Sequence, residues 1–492
     1  MGHIMQMIES TSEDQRVAEQ WIREYLTREH EDLGRGGAVC PFVGPAQEAG
    51  AIRMESLRAE PADGTDELVS SLRDRMQHFR DLPVPEGKEP LTALVVLIRD
   101  LPRHRWRLLD RAQRRLKREA VREGLMVGQF HPACPEPAHW NPSFAVSRSP
   151  LPLVAVRHMA FHDILFLHAD PFLFAEYRKR FGIRYEDGGK VPQEFRTLYE
   201  GAPRLPAPTG NSYIDYQSVT LLHALHQPRT AHQAESSFYL AGQAKELLFS
   251  LVLEEVRAAQ EGIAADDLGR SSWHVRRAAA GFRLLGEFWE LLSTLSPAEF
   301  HSFRDALGDA SGNGSYKYRE LEFALGVAAP STAATYEGVP GVETEVYRAL
   351  HDASVYDDAL GLLVRRGLLS AGTLGPDRDA QAIRAAWARI HREKSVSSGL
   401  LRWAESLMDL AQAFGRWRSL HLLTVERIIG YKPGTGGTTG VAWLRHVASQ
   451  HAFPELWEAR SSLEGGPGDG CPVFPRSPLD SGPGTSQEQA RK

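Results

Sequence analysis

Cysteine is scarce in this chain, with three residues among 492, at Cys40, Cys134 and Cys471. They are far apart, odd in number and include no CxxC pair, which supports neither a disulfide framework nor a thiolate zinc site. A reducing cytoplasm is the simplest setting for such usage. Long apolar runs are also missing. The longest, near Leu91–Ile98, is far too short to cross a membrane, and no basic-then-apolar leader opens the chain. Nor is there an excess of one charge: the formal net charge is -6, which gives no global pull toward nucleic acid or an anionic membrane. These absences predict a cytoplasmic protein with neither nucleic acid nor membrane as partner.

What is present fits a globular protein of more than one domain. Hydrophobic content is 42% and charged content 24%, enough apolar surface for a substantial core. One basic run, Arg103–Arg122, has roughly helix-spaced apolar positions at Trp106, Leu109, Leu116 and Val121. It reads as a solvated amphipathic face rather than a phosphate-binding surface.

The texture changes near residue 205. Before it, Leu91–Ile98, Leu125–Phe130, Leu153–Arg157 and Ile164–Leu167 read as strands, and Asp14–His30, Asp66–Phe79 and Arg105–Glu123 as helices. This is an α+β pattern over residues 1–200. The proline-rich segment 201–211 reads as a linker. From 212 to 463 the chain is almost wholly helical, with long candidates at Ser236–Gln260, Ser271–Leu295, Thr344–Arg366 and Ser398–Ile429, and shorter ones including Tyr213–Leu225. Residues 464–492 are rich in Gly, Pro and Ser, the composition of a disordered tail.

Within the helical half, Trp417, His421, Thr424 and Ile428 share one helix face. Such a histidine is either a core residue or an axial ligand that leaves an iron position open for dioxygen. The loop Gly434–Gly440 lacks the GK[ST] ending of a phosphate loop, and it is either a flexible turn or a site whose threonines, Thr435 among them, bond an ammonium or carboxylate group. Gly242 makes a dent in the face that also carries Phe238 and Lys245. It admits either another helix or a ligand. Arg319, one turn into a helix, is a surface ion-pair partner or a bidentate carboxylate clamp. Tyr213 and Tyr216 form an aromatic edge whose default explanation is packing.

Four segments, in order, resemble the tryptophan 2,3-dioxygenase family of the haem-dependent aromatic oxygenases: SYIDYQSVTLLHALHQP, ESSFYLAGQAKELLFSLVLEE, LLSTLSPAEFHSFRDALGDASGNGSYKYRELEFALG and HLLTVERIIGYKPGTGGTTGVAWLRH with FPELWEARSSL. The resemblance implies an all-α haem-binding bundle behind the α+β domain. It also implies haem b with His421 as axial ligand, dioxygen as co-substrate, Arg319 on the substrate carboxylate and Thr435 at its amino end. Phe238 would line the pocket. Tyr213, Tyr216 and Gln217 would come from a neighbouring subunit of a homotetramer or dimer. The family's pocket histidine is replaced here by Gly242, and GFQS has become GNGS at Gly312–Ser315. The amino-acid end of the site is kept while the indole end changes.

The reaction implied is cleavage of the indole C2–C3 bond of L-tryptophan, or of a substituted tryptophan, to an N-formylkynurenine-type product. A monooxygenase or hydroxylase of secondary metabolism and a haem or ligand sensor without turnover are the alternatives. The amino-terminal half resembles an uncharacterised bacterial domain family. Its Cys40, His131 and Cys134, with His158, His162 and Asp163, supply ligands or nucleophiles enough for a second site.

Overall fold

The computed structural model describes residues 12–60, 64–82, 89–141, 143–186, 190–205, 209–308, 310, 314–339, 341–374, 378–392, 398–430 and 441–463. In the amino-terminal half, strands β1 (Ile52–Arg58), β2 (Ala93–Arg99), β3 (Leu125–Phe130) and β4 (Leu153–His158) form one sheet in the order β1-β2-β4-β3. β1 runs parallel to β2, and β4 is antiparallel to both β2 and β3. β2 is apolar from Ala93 to Ile98 because both of its faces are covered. Leu94, Val96 and Ile98 meet helices α1 (Thr65–Asp81) and α2 (Arg107–Arg122), whereas Val95 and Leu97 meet Ala18, Ile22 and Leu26 near the start of the chain.

Three of the four expected strands form, within a residue or two of their expected bounds. The fourth, Ile164–Leu167, is a helical turn. The Asp163 carboxylate accepts the Ala160 backbone N–H at 2.7 Å and pairs with Arg157 at 2.5 Å, which starts a helix where the apolar run alone reads as a strand. β1 was not expected: its Arg53, Glu55 and Arg58 dilute the apolar signal of an edge strand.

The second half is built from α3 (Gln233–Ala264), α4 (Leu268–Leu292), α5 (Pro297–Leu307), α6 (Tyr316–Leu325), α7 (Val342–His351), α8 (Val355–Arg365), α9 (Ala380–His391), α10 (Gly399–Ile429), α11 (Val441–Ala448) and α12 (Pro454–Ser461). The three longest, α3, α4 and α10, pack on one another around Val252, Val256, Phe282, Leu285, Phe414 and Trp417. Two expected helices are each divided. Tyr213–Leu225 breaks at Ser218, whose φ is +52°, and Thr344–Arg366 breaks where Ser354 and Asp357 form a capping box that starts α8. The 464–492 tail and the Gly434–Gly440 loop lie outside the described residues.

The basic face of α2 is not simply solvated, contrary to the sequence reading. Arg107 pairs with Asp358 and donates to the Ala353 carbonyl at 2.9 Å, while Arg111 reaches Gln260 at 3.3 Å. Gln260 in turn donates to Asp358 at 2.7 Å. Arg115 and Arg118 do remain exposed, paired with Asp66 and Asp170. Half of the arginine stripe therefore joins the two halves of the protein.

α3 and α4 approach closely at Gly281, where an added Cβ would lie 2.4 Å from Val252 Cγ2. Gly281→Ala is expected to cost about 1–3 kcal/mol through overpacking, read as a lower urea midpoint at unchanged slope.

Candidate functional site

His421 sits in the last third of α10, half-buried, and its imidazole stacks flat on Trp289 of α4 at 4.2 Å and 6°. Trp417, one turn earlier, completes an aromatic wall 6.2 Å away. Burial, with the charges of Lys245 and Arg418 nearby, pushes the imidazole pKa down to about 3. The ring is therefore neutral at physiological pH, the state a metal ligand requires. Buried histidines, tryptophans and tyrosines normally find a hydrogen-bond partner. Here the indole nitrogens of both Trp289 and Trp417 are buried with no partner among the described residues.

Across from this wall stands α3. Lys245 places its ammonium 3.9 Å from the centre of the Trp289 ring, and burial brings its pKa down to about 8 against the pull of Glu246. One turn back is Gly242, where an added Cβ would meet nothing within 4 Å. Among the described residues no other helix of this chain seats at Gly242, which faces open space. Phe238, a further turn back, packs against Phe300 and Phe303 of α5 at 5.9 and 5.6 Å.

A neutral imidazole in an aromatic wall, a helix dent without a side chain and unpartnered indole donors suit a flat aromatic cofactor, and the donor set fits haem held through His421.

Arg319 is buried in the first half of α6 and pairs with Glu322, three residues on. The other oxygen of Glu322 accepts from Arg418 of α10 at 2.6 Å. Arg418 also donates to the Tyr318 hydroxyl at 3.2 Å and to the Val447 and Gln450 carbonyls at 2.9 and 3.3 Å. The start of α6 is fixed from α3: the Ser315 hydroxyl donates to Glu246 at 2.9 Å and accepts from the Tyr318 backbone N–H at 3.1 Å. Burial pushes the Glu246 pKa up, with the Ser315 bond and Lys245 opposing. Glu246, Glu322 and Arg418 were not singled out as site residues. A Glu three residues after Arg319 and an Arg three before His421 are the spacings that could have flagged them.

Tyr213 and Tyr216 are 71% and 84% exposed, and Gln217 is exposed beside them, and no hydrogen bond or ring contact joins them to this site among the described residues. Thr435 lies outside the described residues. In the amino-terminal half His131 and Cys134 do come together, joined by Asp110 of α2, which the sequence reading missed. Cys40 instead packs beside Ile22 and Leu26, and His162 lies against Phe42 and Phe195.

The family described as "Tryptophan 2,3-dioxygenase" matches residues 200–339 and 342–463, and a "Domain of unknown function (DUF6875)" matches residues 15–191. The tryptophan 2,3-dioxygenase of Bacillus thuringiensis (strain Al Hakam) is 36% identical over 258 residues, which are 51% of this chain and 92% of the relative. That of Burkholderia pseudomallei (strain K96243) is 37% identical over 258 residues, 51% of this chain and 84% of the relative. The site and these likenesses define a haem-dependent oxygenase that uses dioxygen. The chain belongs to the tryptophan 2,3-dioxygenase family.

Glu322 neutralises two arginines in the interior. Glu322→Ala leaves both charges buried and should cost about 3–5 kcal/mol in chemical denaturation, with Glu322→Gln retaining part of that loss.

Proposed function

We propose that this chain oxidatively cleaves the indole C2–C3 bond of L-tryptophan, or of a ring-substituted tryptophan, inserting both atoms of dioxygen to give an N-formylkynurenine-type product. The observation that carries this reading is the neutral, half-buried His421 stacked on Trp289, on a helix bridged by Glu322 to Arg319. When bound, haem supplies the iron at which dioxygen is activated.

The protein's own part is binding, orientation and exclusion of water. His421 holds the iron. Arg319 meets the substrate carboxylate, with its orientation set by Glu322. Thr435 meets the ammonium end. Phe238 and the space beside Gly242 take the aromatic ring. With glycine in the place of a pocket histidine, no side chain at this position accepts the indole N–H, so a substituent on that ring is tolerated. The loss of one such neutral bond is worth about 0.5–1.5 kcal/mol, too little to exclude plain L-tryptophan.

Oligomerisation is part of this reading. Tyr213, Tyr216 and Gln217 are supplied to a neighbouring subunit of a homotetramer or dimer, in keeping with their exposure. The faces of α3 and α4 that carry exposed Leu240, Leu247, Leu251, Leu284 and Leu291 provide apolar surface for it.

The reaction is tested with ¹⁸O₂ and L-tryptophan: two labelled atoms in the product are expected, whereas one would assign a hydroxylase and overturn the proposal. The binding mode is tested by Arg319→Lys, which keeps the charge but loses the bidentate fork. It should leave the haem absorption band in place and weaken amino-acid binding about tenfold or more, read from substrate perturbation of that band. Wild-type affinity in Arg319→Lys would remove the carboxylate assignment.

A further inference from the structure

Asp110, His131 and Cys134 play no part in the oxygenase site, and all three are buried, at 2%, 0% and 0% exposure. The fold brings them together from two places. Asp110 lies in the first turn of α2. β3 ends at Phe130, and the turn that follows, closed by the Cys134 N–H on the His131 carbonyl at 2.9 Å, sets His131 and Cys134 three residues apart on one side. His131 Nε2 is 3.0 Å from Asp110 Oδ2, and Cys134 Sγ is 3.7 Å from Asp110 Oδ1. One ligand atom from each residue falls within 4.8 Å of the other two.

An imidazole, a carboxylate and a thiol are costly to bury together unless something repays their desolvation. Hydrogen bonds do so only in part. Gln129 donates to Asp110 at 3.1 Å, but the Cys134 thiol has only long contacts, 3.7 Å to Asp110, 3.8 Å to the Gln129 carbonyl and 3.9 Å to the Gln129 amide. A divalent ion would account for the convergence. With metal–N and metal–O distances of about 2.0 Å and metal–S of about 2.3 Å, tetrahedral geometry puts ligand atoms roughly 3.3–3.5 Å apart. The three ligand atoms, within 4.8 Å of one another, would draw in to that spacing around an ion. The mixture of thiolate, imidazole and carboxylate suits zinc and its neighbours rather than magnesium or calcium.

We infer that Asp110, His131 and Cys134 form a binding site for a divalent transition ion of the zinc class. Three protein ligands leave a fourth position for water or a small anion. Asp110 also borders a narrow cavity between the two halves that carries charges of both signs, Arg107, Arg111 and Arg114 with Glu320 and Asp352. Cysteine spacing gave no hint of such a site because only one cysteine takes part.

The test uses the full chain, loaded with zinc and dialysed, then measured by elemental analysis and zinc-edge X-ray absorption. About one equivalent of retained zinc, with one sulfur in its first shell at about 2.3 Å, is expected. Cys40→Ser combined with Cys471→Ser leaves Cys134 as the sole thiol and should change neither result. Cys134→Ser should remove the sulfur and weaken binding about tenfold or more. Complete loss of zinc on dialysis of the wild type, a shell without sulfur, or loss of the sulfur in the Cys40/Cys471 double variant would each overturn the inference, leaving a hydrogen-bonded network. Iron content and the haem absorption band report on the oxygenase site separately, so either reading can fail without the other.

Discussion

The oxygenase half depends on one buried bridge, Arg319–Glu322–Arg418. Two guanidinium groups share a carboxylate in the interior, each on its own oxygen, and Arg418 spends its remaining N–H groups on Tyr318 and on two carbonyls at the end of α11. Charges taken out of water are tolerated only when every partner is present, so the bridge holds α6, α10 and α11 in one relative position. It also links the two chemistries of the site. Arg319 is the group proposed to grip the amino acid, and Arg418 lies three residues before His421, where its charge helps to keep the imidazole neutral. Placement of the substrate end and the haem end is thus one structural problem with one solution.

The glycine at 242 gains meaning from that rigidity. Its helix is fixed one turn further on by Glu246 on Ser315, and Lys245 is held over Trp289. A side chain is missing on a framework that has little freedom to collapse into the gap. In the proposed reading, charges and caps maintain the amino-acid end of the site, and the glycine widens its aromatic end.

How far the sequence could be read varied with the kind of signal. Long amphipathic stretches such as α3, α4 and α10 were legible within a few residues, because burial of one face fixes them. Short apolar runs were legible in three cases of four, the exception being Ile164–Leu167, which fits a strand or a helical turn equally until Asp163 is seen to cap it. The roles proposed for His421 and Arg319 rest on the wording of their segments. Their partners Glu322 and Arg418 were not legible, since ordinary helical charges acquire a role only when two helices meet. The same limit explains α2, whose arginines look solvated along the chain but partly face Asp358 and Gln260 in space. It also explains why Asp110 went unseen beside His131 and Cys134, while Cys40 lies elsewhere.

The central claim is that one imidazole near the carboxyl-terminal end of α10 holds the haem iron. Resonance Raman spectroscopy of the ferrous protein tests it most directly. The account predicts an iron–imidazole stretching band in the wild type, absent from His421→Gly and restored in that variant by free imidazole. An undiminished band in His421→Gly without added imidazole would place the ligand on another residue and contradict the account.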